Sequence, residues 1–382
     1  MSPIMTTHLL RTQDGWAFRD GRPNQGSNGS RSLPIGHPST FAGAARTLQG
    51  SNAEGVFVGD ADEMMKMPVH GPILMREAAA SWEPLFPSPC DAIWNEVDDA
   101  MRSKSILALA PLDVSPDIVT SLKEGLCLVG LTTKQANEAK GKPPKDAPAW
   151  WSWPDMEKWL KGQTPLAETV VNQGFKTPAA DLRHGVGIGD AWVAKEGALF
   201  RVERRIFRQG ESLGSQRELA LSVRVESDLS NRTGRLGGKG QMTRWEIGQK
   251  WPDCPAAVLD GVITREMTVV RVILATGAIF KNGALPSRLL EEEQTGVKVK
   301  LIAAKVDRPQ TISGWDYKTN KPKSTRRLAP AGSVYWLELS GSAEARKAWV
   351  ASHWLQPVSD ARQDCLDGFG LALIGLLHGG NR

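Results

Sequence analysis

His184 stands beside Arg183 in a glycine-rich run, Arg183-His184-Gly-Val-Gly-Ile-Gly189. An imidazole next to a cation is an arrangement that metal-independent ribonucleases use for proton transfer, so His184 is the sharpest acid–base candidate. No second acid–base residue accompanies it, which favours a hydrogen bond to backbone or RNA without chemistry. Asp60 and Asp62 form a DxD pair able to hold a cation. No third carboxylate or His stands at ligand spacing, and a solvated loop is the favoured reading. Gly234–Gly240 (GRLGGKG) looks superficially like a phosphate loop. It fails, because Thr233 takes the place of the first required glycine and Gly240 that of the Ser or Thr. Cys90, Cys127, Cys254 and Cys365 lie far apart with no CxxC pair, which argues against a zinc or redox motif. Reduced thiols of a cytoplasmic protein are the plain reading. No GxSxG elbow or HExxH motif occurs.

The stronger signal is charge. Nine Lys/Arg between Lys298 and Arg327 face only Asp307 and Asp316, a local +7 in a chain whose net charge is +5. A concentrated positive field on a near-neutral body points to an anionic polymer as partner. Three prolines (Pro309, Pro322, Pro330) and Trp315 lie in or beside this segment, which stiffens the display and supplies a ring for stacking. The plain alternative is a solvated charged hairpin. A second positive zone runs from Arg201 to Lys250, with eleven basic and six acidic residues. Residues 54–99 carry ten Asp/Glu against Lys66 and Arg76, a place for a basic protein rather than for RNA.

The elements that hold these residues follow from apolar patterning. The chain has 382 residues with 41% apolar content, enough for two domains. Residues 4–18 read as a first strand, Thr40–Leu48 as a helix capped by Ser39 or Thr40, and Val56–Val58 as the next strand. Strands follow at Gly197–Glu203, Leu219–Val225, Thr268–Ala275, Val297–Ala303 and Ser333–Leu339, then a helix at Ala343–His353 capped by Ser342 or Gly341. The basic segment is thus a hairpin or loop at the end of a buried strand. Trp150, Trp151, Trp153 and Trp159 lead into a helix near Asp155–Lys161. They either stack bases or pin that helix to the core, and packing is the favoured reading. Gly368-Phe-Gly370 either brings backbone N–H groups to phosphate with Phe369 stacking, or is only the turn before a buried strand. No apolar run reaches membrane-spanning length.

Taken together, these segments resemble one family. The matching pieces are Phe18–Pro23 (FRDGRP), Thr40–Thr47 (TFAGAART), Gly71–Leu74 (GPIL), Phe86–Asp91 (FPSPCD), Gly197–Glu203 (GALFRVE), Leu236–Gly238 (LGG), Gly314–Asp316 (GWD), Pro330–Tyr335 (PAGSVY) and Gly368–Leu371 (GFGL). They run in the family's order over nearly the whole chain. The chain is similar to the RAMP-superfamily subunit of the type III-B CRISPR (Cmr) effector complex that caps the five-prime tag of the guide RNA. The resemblance implies an α+β fold: two tandem ferredoxin-like (RRM-like) RAMP domains with long insertions and a C-terminal glycine-rich loop, the first over 1–247 and the second over 248–382.

It further implies a non-catalytic, cytoplasmic RNA-binding scaffold in antiviral defence, with no cofactor. The implied partners are the repeat-derived crRNA five-prime tag, the large polymerase-like signalling subunit and the backbone RAMP subunit of the Cmr filament. A hairpin thumb is expected to wedge between tag and guide. On this reading Lys318, Lys321, Lys323, Arg326 and Arg327 neutralise tag phosphates. Arg19, Arg22 and Arg46 line the same cleft. Gly237, Gly238, Lys239 and Arg244 contribute from the second positive zone, and His184 from the glycine-rich run before it. Gly368, Phe369 and Gly370 give close backbone contact, with Trp315 or Phe369 stacking a base. The alternative within the superfamily is a guide-processing endoribonuclease using His184. The chain departs from the family at Lys239 and Gln241 after the Gly-Gly pair, at Gly277 after Thr276, and in the Gly/Ser-rich stretch Asn24–Ser39.

Overall fold

The computed structural model describes residues 5–20, 31–79, 81–96, 103–112, 119–120, 122–123, 125–132, 135–136, 144–189, 192–210, 216–264, 267–291, 296–316 and 320–379. Arg22, Lys318, the Asn24–Ser30 part of the Gly/Ser-rich stretch and most of the 134–143 loop lie outside them. The fold is mixed α/β and strand-rich, with two principal sheets.

The larger sheet has the strand order Arg232–Leu236, Gln241–Ile247, Thr6–Arg11, Arg217–Val225, Val69–Ala78, Ser81–Pro87, Trp150–Ser152, with Arg208–Gln209 pairing off the path. Every neighbouring pair is antiparallel. The helix Pro38–Gln49 connects Thr6–Arg11 to Val69–Ala78 and buries Phe41, Ala42 and Ala45. It begins earlier than the sequence suggests. Pro38 takes the first turn, where its missing N–H costs nothing, and neither Ser39 nor Thr40 caps it. Val56–Val58 is not a strand: all three side chains are exposed, and Phe57 makes only an isolated bridge to Ser51. The second strand comes later, at Val69–Ala78.

The smaller sheet has the order Lys298–Lys305, Val334–Ser340, Met267–Leu274, Ala372–Leu376, again antiparallel throughout. Val334, Tyr335, Trp336 and Leu337 are all fully buried, which explains why this strand reads as a continuous apolar run and not an alternating one. Helix Ser287–Glu291 lies between the first two of its strands in sequence, and helix Ala343–His353 between the last two. Ser342 caps the latter by accepting from the Ala345 N–H.

One apolar core joins the sheets, running from Ile73 and Phe86 of the first to Val272 and Trp336 of the second. Trp151 and Trp159 are fully buried in it, so the tryptophan cluster is packing. Polar locks reinforce the junction. Arg271 pairs with Asp91 at 2.6 Å, both side chains without exposure, and Trp159 Nε1 donates to the other Asp91 oxygen at 3.0 Å. Buried charges are tolerated only when paired in this way. Trp251, beyond the last strand of the first sheet, donates back to Ser222 at 2.8 Å.

Candidate nucleic-acid interface

The basic segment is a hairpin. Gln310–Ile312 pairs with Arg326–Leu328, and Trp315–Asp316 with Lys321–Pro322. Between the two ladders the Lys323 N–H donates to Gly314 O at 2.8 Å and Ser313 Oγ donates to Lys323 O at 3.0 Å. Alternation decides what each strand presents. Ile312 and Leu328 point inward and pack with Ile279 and Phe369 in a small separate core. Arg327, one position along, sits opposite Thr311, and Lys321, Lys323, Arg326 and Arg327 are all exposed. The root is thereby fixed with Arg327 on its outer face, while Arg326, opposite Ile312, lies on the packed face and is exposed at its margin. Arg326 also reaches Asp364 at 2.6 Å, and that carboxylate is nearly buried. Burial raises the Asp364 carboxyl, and the Arg326 contact works against that shift. Trp315 stands opposite Pro322 in the upper ladder.

Several expected contacts take other roles. Arg46 is 5% exposed. Its guanidinium bonds Asp367 at 2.6 Å and the carbonyls of Met67 and Leu366, so it ties the first sheet's helix to the segment just before the last strand of the smaller sheet and is not offered to a ligand. Phe369 is fully buried under the hairpin root and has no face for a base. Gly368 and Gly370 are buried too. Gly368 has φ +88°, and a Cβ there would lie 2.6 Å from Val69 O. Its glycine permits close approach to the first sheet, not to phosphate. The N–H groups of residues 368–370 are already bonded to Cys365, Asp364 and Gly277 carbonyls. Of the two sequence readings for this loop, the structural turn is the one observed.

The Gly237–Gly238 pair behaves similarly. Gly237 has φ +75° and backs onto Ala17 O, and the Gly238 N–H donates to that same oxygen at 2.7 Å. This packing brings Arg19, which is exposed, alongside Gly238. Arg31 and Arg235 are exposed in the same neighbourhood, the first next to Asp20 and the second against Gly240. The sequence reading passed over both, although Arg235 directly precedes the Leu236–Gly238 motif. Lys239 lies in the 3₁₀ turn Gly238–Gly240. Arg244 is largely exposed on the adjoining strand and shares Glu246 with Arg11.

His184 lies on an arm. Ala179–Ile188 and Ala194–Ile206 form a two-stranded antiparallel ribbon apart from both sheets. The sequence suggested a glycine-rich loop over residues 183–189. Gly185 and Gly187 alternate along the strand, with Gly189 just past its end, and glycine's low strand preference hid it. Gly185 has a structural use: the Phe200 ring lies across it from the partner strand. His184 faces Arg201, and Glu203 next along that face is paired with Arg205. The arm exposes Leu182, Val186, Ile188, Trp192, Leu199 and Phe200, with Trp192 88% exposed.

Asp60 caps helix Ala61–Lys66, accepting from the Asp62 and Glu63 N–H groups. Among the described residues no group of three or more His, Cys, Asp or Glu is placed to hold a metal ion. No helix among them is long and apolar enough to cross a membrane.

Residues 8–377 match the family model described as CRISPR-associated protein (Cas_Cmr3). The chain belongs to this family. Cas_Cmr3 proteins are the RAMP subunit of the type III-B Cmr complex, and the chain is a component of that CRISPR system. Among solved structures, it is similar to a chain in the cryo-EM structure of type III-B Cmr-beta bound to cognate target RNA, with 14% identity, 86% of each chain covered and a TM-score of 0.45. The same complex with target RNA and AMPPnP, state 1, gives 14% identity, 86% of each chain and 0.43. The Csm3–Csm4 subcomplex of the type III-A CRISPR-Cas interference complex gives 10% identity, with 88% of this chain and 94% of that one covered and a TM-score of 0.36. No curated protein matches the chain.

Proposed function

We propose that this Cas_Cmr3 chain is a non-catalytic scaffold that binds the repeat-derived five-prime tag of the guide RNA and joins the large polymerase-like signalling subunit to the backbone filament. The observation that carries this reading is the basic hairpin, where four exposed cations stand on a root locked by Ile312 and Leu328. A backbone held in place lets these cations meet a ribose-phosphate chain without first ordering the hairpin. Arg19, with Arg31 and Arg235, supplies a second positive cluster on the first sheet.

The thumb in this reading is the arm over residues 179–206. Its exposed apolar side chains suit insertion between bases better than the hydrophilic basic hairpin does. The exposed Val56–Val58 segment, with Glu54, Asp60, Asp62 and Glu63 around it, suits a basic protein neighbour. The antiparallel orders of the two sheets support a pair of ferredoxin-like RAMP domains meeting near residues 247–248, between Ile247 and the strand that starts at Met267. The test is binding of labelled tag RNA to the full chain. Tag RNA should bind the wild type, and replacing the four hairpin cations should weaken that binding, and that of a scrambled RNA as well, because phosphate contacts carry no sequence information. Equal RNA binding by wild type and variant would overturn the reading.

A further inference from the structure

A short helix, Arg362–Leu366, touches both the root of the basic hairpin and the first sheet's helix Pro38–Gln49. Its Asp364, and the Asp367 that follows its last residue, are both buried. Each carboxylate is matched by one guanidinium from a distant part of the chain. Arg326 Nη1 of the hairpin donates to Asp364 at 2.6 Å, and Arg46 Nη1 of the first sheet's helix donates to Asp367 at 2.6 Å. Gln363 fastens the same turn, its Nε2 donating to Asp367 at 2.9 Å and to Met65 O at 3.3 Å. The short helix is thus a bracket with the hairpin on one arm and the first sheet on the other.

The other support of the hairpin root is small. Ile312 and Leu328 pack only with Ile279 and Phe369, and apolar packing is non-directional. Below them Ala278 and Ala329 exchange backbone hydrogen bonds at 2.8 and 2.9 Å, which holds the returning strand at one point. Four apolar side chains and one bridge leave the tilt of a hairpin loosely set. An arginine–carboxylate contact is short and directional, and it supplies the missing constraint. The carboxylate of this pair is 4% exposed and the arginine side chain 43%, so the contact reaches from the interior to the hairpin's surface.

Arg326 is also badly placed to neutralise a phosphate. It stands opposite Ile312 on the packed face, and Asp364 already matches its charge. Lys321, Lys323 and Arg327 are exposed as well, and Arg327 is on the outer face.

We propose that Asp364 is a positioning residue for the RNA interface: through Arg326 it sets the tilt of the basic hairpin against the first sheet, and Arg326 serves as a pin, not as a phosphate ligand. Arg46 holds the far end of the same bracket. The inference rests on the RNA-binding reading of the hairpin.

The sign of one effect tests this. Asp364→Asn removes a negative charge and keeps the shape of the side chain. If Arg326 met a phosphate directly, losing the carboxylate would leave RNA binding unchanged or tighten it, and Arg326→Ala would flatten the log–log salt slope by about 0.7. A pin behaves otherwise. Asp364→Asn and Arg326→Ala should each weaken binding of labelled tag RNA to the full chain about fivefold, the cost of an interface that must be ordered on binding. The double variant should bind no more weakly than either single one, and all three should keep the wild-type slope. Anisotropy across a salt series reads both quantities. Binding by Asp364→Asn that equals or exceeds wild type overturns the proposal, as do additive single effects or a flatter slope in Arg326→Ala. Hydrogen exchange of the full chain, followed by mass spectrometry, needs no RNA. Asp364→Asn should speed exchange over residues 310–328 about tenfold and leave the strands Met267–Leu274 and Val334–Ser340 protected. Arg326→Ala, at an exposed position, should give the same local signature even if Asp364→Asn fails to fold. Unchanged exchange over 310–328 overturns the proposal. If tag RNA binds through Lys321, Lys323 and Arg327 while Asp364→Asn binds like wild type, the pin falls and the hairpin reading stands. If the wild type binds no RNA, both fall.

Discussion

Replacing Lys321, Lys323, Arg326 and Arg327 together by Ala is the sharpest perturbation of the RNA-binding account. All four are exposed, and the root residues Ile312 and Leu328 are left intact. On a single strand each neutralised phosphate contributes about −0.7 to the slope of log affinity against log salt, so four cations account for about −2.8. Arg326 shares its charge with Asp364 at 2.6 Å. Without it, the remaining three account for about −2.1. Between about 50 and 200 mM salt the wild type should then lose about 20- to 50-fold more affinity than the variant. The assay is fluorescence anisotropy of labelled tag RNA with the full chain across a salt series. Removing Arg326 leaves the buried Asp364 without its partner, so the triple variant that keeps Arg326 is measured alongside. Parallel log–log plots for wild type and both variants would refute the reasoning, because they would mean that no phosphate meets the hairpin.

Other predictions concern stability and the arm. Asp367→Ala leaves Arg46 buried and unpaired and should cost about 3–5 kcal/mol in denaturant unfolding, with no change in the salt slope of the folded protein. Gly368→Ala should destabilise the chain by at least about 1–3 kcal/mol, since φ is +88° and the new Cβ meets Val69 O; an unchanged melting temperature would show that the turn relaxes freely. Leu199→Ser with Trp192→Ser should stay within about 0.5 kcal/mol of wild-type stability, both positions being exposed, yet weaken assembly on guide RNA as judged by size-exclusion chromatography of the reconstituted complex. His378 packs 3.9 Å from Trp159, and burial, with Arg271 adding to it, lowers its pKa to about 2. Burial likewise lowers His70 to about 4. The unfolded histidines take protons near 6.5, so the unfolded chain binds more protons below that value and stability should fall on acidification from pH 6.5 to 5, by up to about 1.4 kcal/mol per pH unit for each group. His378→Leu should flatten the dependence of melting temperature on pH over that window.

Much of the scaffold was legible because burial writes a local pattern. The run Val334–Leu337 is apolar on both faces and could only be an interior strand. The charged, proline-bounded stretch before it read as a hairpin or loop at the end of that strand, and it is a hairpin. The roles of individual cations were not legible, because a cation's role depends on what lies opposite in space. Arg46 and Arg19 look alike in sequence, yet Arg46 meets Asp367, 321 residues away, while Arg19 remains exposed. The glycine-rich turn misled for the same reason. Gly368 is required by Val69 and Gly71 of the other sheet, a contact no local signal encodes. The arm was half seen, since Gly197–Glu203 reads as a strand but its glycine-laced partner does not.

The most direct measurement uses the assembled complex with a guide RNA carrying photoreactive nucleotides throughout its five-prime tag. Cross-linked peptides are then identified by mass spectrometry. The account predicts adducts within residues 310–328, with further ones near Arg19 and on the arm. Tag adducts confined to other subunits, with the basic hairpin unlabelled, would contradict it.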